Sequence, residues 1–205
     1  MIFISFLGYS GYGEGFFFFF YLFTFINVCI RLFSFIDRSN IGNARLAGLP
    51  QDLGIESGTS FNLALLVFYV PYILVDVPSN LLLKRARAGV YLPLLITAWG
   101  AVCTCVGFTK SFAGLVVCRV LLGVFEGGIL GGVIIYLAMF YRRHEMLYRS
   151  GLFYCAAPLS GAFGGLLASA LGLIEFGGYV KWPWIFFSEF FYFYLILFFL
   201  LFWLA

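Results

Sequence analysis

Stretches such as LALLVFYVPYILV at 63–75 and FYFYLILFFLLFWLA at 191–205 run on without a single charge. Similar runs recur along most of the chain. About 20 apolar residues in helical form cross a hydrocarbon core, so runs of this kind read as membrane spans. Composition agrees. A water-soluble domain carries roughly 25% charged residues. Here 10% are charged, 63% are hydrophobic and the mean hydropathy is +1.05. The runs do not alternate apolar and polar positions as barrel strands do. A helix satisfies its own backbone hydrogen bonds within one segment, which lipid demands. The expectation is an all-α integral membrane protein of about six transmembrane helices.

The spans are placed at 16–47, 61–83, 91–109, 112–140, 150–173 and 184–205, after an atypical N-terminal segment at 1–15. That segment lacks the basic start of a signal peptide. Polar connections separate the spans: LPQDLGIESGTS, KRARAG, TKS, YRRHEMLYR and EFGGYVKWPW. The second and fourth hold Lys84, Arg85, Arg87, Arg142, Arg143 and Arg149. The third and fifth hold Lys110 and Lys181, Arg45 lies at the end of the first span just before the first connection, and Arg38 is added to this side if the first span ends early. The positive-inside rule puts the richer group in the cytoplasm, and both termini with it. The net charge of +3 is spread over these loops and forms no nucleic-acid footprint.

Cys29, Cys103, Cys105, Cys118 and Cys155 all lie in apolar stretches and read as free thiols packed between helices. Cys103 and Cys105 do not have zinc spacing, and His144 has no second ligand beside it. No metal and no cofactor is expected. No Gly-x-Ser-x-Gly or His-Glu-x-x-His arrangement points to an enzyme, and nothing resembles a channel selectivity filter.

Gly123, Gly127 and Gly131 recur four apart, with Gly128 and Gly132 beside them. Gly161, Gly165 and Ser169 repeat the spacing in the fifth span. Small residues at this interval let helix backbones approach closely. Pro71, Pro78 and Pro158 are expected to bend their helices.

Ionisable residues inside spans say most about function, since a mid-membrane charge costs about 2.5–3.5 kcal/mol on insertion scales. Asp37 and Arg38 follow the first apolar run. Either the helix ends at Ile36 and the pair is solvated, or it extends to about Ala47 and buries them near Asn40 and Asn43. Arg119 and Glu126 are seven apart in the fourth span, about two turns, and point to one side. An acid there can carry a proton, and an arginine suits a carboxylate. Asp76 is expected to pair with the basic KRAR loop. Glu189, after Trp184, reads as interfacial, and Arg31 as a snorkelling residue.

Four segments, in order, resemble the amino-terminal half of a major facilitator superfamily transporter. They are DRSNIGNARLAGLPQDLG, FNLALLVFYVPYILVDVPSNLLLKR, CRVLLGVFEGGILGGVIIYLAMFYRRHEMLYR and SGAFGGLLA. More narrowly they resemble the fungal anion:cation symporters, which include allantoate, nicotinate and vitamin permeases. The resemblance implies proton-coupled uptake of a small organic anion across the plasma membrane. It implies that Arg38, Arg119, Asn40 and Asn43 meet the substrate and that Asp37 and Glu126 carry the proton. Asp76, Lys84 and Arg85 match a cytoplasmic gating loop, although the family commonly has Glu where Asp76 stands. The family pattern also needs a second six-helix bundle, from a second copy or from further sequence. The alternative expectation is a non-transporting membrane protein or a helical bundle that binds another membrane protein.

Overall fold

The structure, a computed structural model, describes residues 13–55, 58–86, 88–140, 143–172 and 182–189. The described residues form helices and no strands. Helix α1 spans Gly13–Leu46, the short α2 Leu49–Asp52, α3 Gly58–Arg85, α4 Ala88–Gly107, α5 Phe112–Phe140 and α6 Arg143–Gly172. A further helical segment covers 183–189. Four stretches are long and apolar enough to cross a membrane: Gly58–Arg85, Val90–Gly107, Phe112–Ala138 and Glu145–Leu167. Helix α1, with 34 residues, is about 51 Å long at 1.5 Å per residue, also enough to span. The expected sixth span lies beyond residue 189 for most of its length, outside the described residues, as do residues 1–12 of the N-terminal segment.

The first span is settled by its far end. Helix α1 runs without a break through Ile36 to Leu46, so Asp37 and Arg38 sit inside it. It stops where Gly48 takes φ +102°, a left-handed backbone that glycine adopts without steric penalty. At the fourth connection the chain becomes helical again at Arg143, seven residues before the expected start at 150.

Helix α5 is the hub. It packs along α3 and α4, while α6 packs along α1. The glycine ladder explains the first contact. A Cβ on Gly127 would lie 2.6 Å from the Tyr72 carbonyl oxygen and 3.2 Å from Tyr72 Cα. Gly123 meets the Phe68 carbonyl one turn before Tyr72, and Gly131 the Asn80 side chain two turns after it along α3. Gly128 and Gly132 face Leu95 and Leu92 of α4. Backbone cannot yield as a side chain can. Gly127→Val is therefore expected to lower stability by about 1–3 kcal/mol or more through overpacking. Thermal unfolding in detergent, followed by tryptophan fluorescence, checks it.

The small residues of α6 behave differently. Gly161, Gly165 and Ser169 are exposed, and a Cβ on either glycine would meet nothing within 4 Å. The expected close packing on that face is absent among the described residues. It is Gly164 that faces α1, where a Cβ would lie 3.0 Å from Ser39 Oγ. Gly165→Ala should not lower the unfolding temperature in the same assay, since alanine meets no clash there and favours the helix.

The segment 183–189 is anchored at its start. Trp182 Nε1 donates to Asp52 Oδ2 at 2.7 Å. The Phe187 ring presses on Gly107, where a Cβ would come within 2.6 Å, and packs on Phe108 with centroids 4.9 Å apart. Ile185 and Phe186 are buried beneath it.

Candidate functional site

Ionisable side chains gather in the middle of this bundle. Helical spacing places Arg31, Ser34, Asp37, Arg38 and Ile41 of α1 on the side turned toward the other helices. From α5 come Arg119 and Glu126, which are 2% and 1% exposed. Glu189 comes from the 183–189 segment, and Cys103 and Trp99 from α4.

Glu126 is the centre of one group. Ser34 Oγ donates to its Oε1. Arg38 Nε donates to the same oxygen at 2.9 Å, a charged pair almost out of water. The Arg38 guanidinium also lies 4.5 Å from the Tyr72 ring centroid and 5.5 Å from that of Phe68, which holds it by cation–π attraction. Its Nη2 has no hydrogen-bond partner among the described residues. Arg31 does not snorkel as expected. It is buried, with its guanidinium 4.3 Å from the Phe35 ring and 5.3 Å from Phe153 of α6.

Asp37 belongs to a second group. Asp37, Cys103 and Glu189 each place a ligand-type atom within 4.8 Å of the other two, and all three are buried. Neither Asp37 oxygen meets hydrogen-bond geometry with a described residue, and neither does Glu189 Oε2. Asn40 Nδ2 donates to Glu189 Oε1. Asn43 Nδ2 makes long contacts to Asn40 Oδ1 at 3.4 Å and to the Gly164 carbonyl at 3.5 Å. Arg119 acts electrostatically on both carboxyls, while its Nε and Nη2 have no partner among the described residues. So Arg119 and Glu126 are buried as their spacing predicts, but they serve different neighbours.

Two further expectations need correction. Glu189 is not interfacial: it is 7% exposed and bonded to α1. Its segment docks by Ile185 and Phe186, and Glu189, three and four residues on, turns to the same side. That spacing was the available signal. The second correction concerns Asp76, which accepts from Asn80 Nδ2 at 3.0 Å and makes no ion pair among the described residues. Lys84 and Arg85 are exposed in the last turn of α3, where cations complement the helix dipole.

The space beside Arg31, Ser34, Arg38 and Glu126 holds about 10 Å³, room for about one water molecule. A larger cavity of about 670 Å³ lies between Asp52, Lys110, Phe108, Trp182 and Trp184, and none of the charged cluster lines it.

The chain is 41% identical over 158 residues to the MFS-type transporter efuF of Hormonema carpetanum, covering 77% of this chain and 32% of that one. It is 37% identical over 161 residues to the major facilitator-type transporter hxnP of Emericella nidulans, with the same two coverages of 77% and 32%. The chain thus spans about a third of the length of these relatives. Among solved structures it superposes on a bacterial homologue of the human lysosomal transporter Spinster, inward-facing and occupied. The TM-score is 0.76 at 16% identity, over 94% of this chain and 44% of that one, a likeness of fold. The family model of the Major Facilitator Superfamily matches residues 28–205. By that match the chain belongs to the Major Facilitator Superfamily.

Proposed function

We propose that this bundle is half of a secondary transporter that takes up a small organic anion together with a proton. The observation that carries it is the buried charge inventory. The buried Arg31 and Arg119 and the partly buried Arg38 face the buried Asp37, Glu126 and Glu189, and their charges cancel when all six are ionised. Burying a net charge is costly. A proton bound to any of these acids leaves one uncompensated positive charge, and a bound anion removes it. Proton and anion therefore favour each other's binding.

The Arg38–Glu126 contact supplies the stereochemistry. A proton on Glu126 weakens its hold on Arg38 Nε and frees the guanidinium for a substrate carboxylate. Arg119, whose Nε and Nη2 have no partner among the described residues, is the second carboxylate ligand. Asn40 and Asn43 contribute amide groups on the same helix. Asp37 and Glu126 are the proton carriers, and Lys84 and Arg85 belong to the cytoplasmic gate. A second six-helix half completes the substrate space, since alternating access rocks one bundle against another around a midplane site. The plasma membrane, with both termini in the cytoplasm, is the setting this reading assigns.

The test is accumulation of radiolabelled nicotinate and allantoate by proteoliposomes holding the chain assembled with its second six-helix half, under an inward proton gradient. A charge-assisted hydrogen bond contributes about 1.5–3 kcal/mol. Arg119→Lys, which loses the planar fork, should therefore weaken apparent affinity roughly ten- to a hundredfold. Uptake of neither anion, nor of pantothenate, biotin or a sugar acid, would sink symport by this chain and favour a non-transporting bundle.

A further inference from the structure

We propose that Asp37 and Glu189 form a carboxyl pair that shares one proton, at the junction of α1, α4 and the 183–189 segment. As a coupling site the pair rests on the proposed symport; as a protonation site it stands on its own geometry.

The two acids come from distant parts of the chain and bring carboxylate oxygens within 4.8 Å of each other. Both are buried, and three of their four oxygens have no hydrogen-bond partner among the described residues. Two ionised carboxylates this close in a dry site repel strongly, whereas one shared proton lets one acid donate to the other. That arrangement supplies the partner that the orphaned oxygens lack.

The groups around the pair favour a proton over a metal ion. Cys103 of α4 offers a thiol, and with the two acids it could complete a three-ligand set. From α5, however, Arg119 stands close enough to act on both carboxyls, and a guanidinium repels a metal cation. Arg38 on α1 is engaged with Glu126 and with the Tyr72 ring. Asn40, bonded to Glu189 Oε1, holds the second acid in register with α1.

The experiment is infrared difference spectroscopy of the purified chain across a pH titration, reading the C=O stretch of protonated carboxyls. At neutral pH the wild-type chain should show one buried protonated carboxyl. Glu189→Gln and Asp37→Asn should each remove it, because the remaining acid no longer has a like-charged neighbour and faces Arg119. Glu189→Asp and Glu126→Gln should both keep it. Absence of the band in the wild type overturns the proposal without any variant. So does its survival in Glu189→Gln, which would leave Asp37 protonated by burial alone. One-per-chain zinc binding that requires Cys103 would overturn it in favour of a metal site. Transport is not needed for this readout, so failed uptake with the expected spectra rejects the symport and leaves the pair standing.

Discussion

Glu126→Gln should abolish proton-driven accumulation and spare exchange of labelled for unlabelled substrate. Glutamine keeps an oxygen for Ser34 Oγ and Arg38 Nε, so the local geometry survives. It cannot take a proton, so binding of the anion is no longer tied to proton uptake. One proton carried with a monovalent anion crosses without net charge. A pH gradient of about one unit then supports about tenfold accumulation, since about 1.4 kcal/mol is tenfold in concentration. In the variant the ratio should fall to about one, while counterflow in preloaded proteoliposomes continues. Uphill accumulation by Glu126→Gln would remove Glu126 from the coupling path.

The second large effect is on stability. Glu126→Ala leaves the Arg38 guanidinium charged and mostly out of water, held among the described residues by aromatic faces. Breaking a buried ion pair from one side costs about 3–5 kcal/mol. Replacing both partners by apolar residues of similar volume often costs little or even stabilises. Glu126→Leu alone is therefore expected to unfold several degrees lower in detergent, and Arg38→Leu with Glu126→Leu to recover most of the loss. A double-mutant cycle on unfolding free energies checks this. Additive single effects would show that the 2.9 Å contact contributes no coupling energy.

Those two outcomes bear on residues that the sequence singled out, though not on how they are partnered. Arg119 and Glu126 had to be buried, because apolar residues and glycines flank both within one helix. Their seven-residue spacing says that they share a side, not which neighbours that side meets. Glu126 looks across to α1, and Arg119 acts on the Asp37–Glu189 pair. Ser34 carried no signal at all, since a lone serine in an apolar helix reads as filler until a carboxylate is opposite it. Glu189 was misread because Trp184, five residues before it, suggested the membrane surface.

The α5 ladder was legible for a different reason. Glycines four apart in an apolar span have one economical use, a close helix contact, and α3 lies against them. The same spacing in α6 misled: Gly161 and Gly165 lie open, and Gly164 carries the contact with α1.

The chain's membrane character and helical class, and the positions of the four long apolar spans among the described residues, follow from sequence alone. Hydrophobic run length and the backbone's need for internal hydrogen bonds are local properties. So is the burial of any charge embedded in such a run. Which acid meets which arginine is not local. Arg38 with Glu126, and Asp37 with Glu189, join residues 88 and 152 positions apart. Only the packing of α5, α1 and the 183–189 segment around one centre decides those partners.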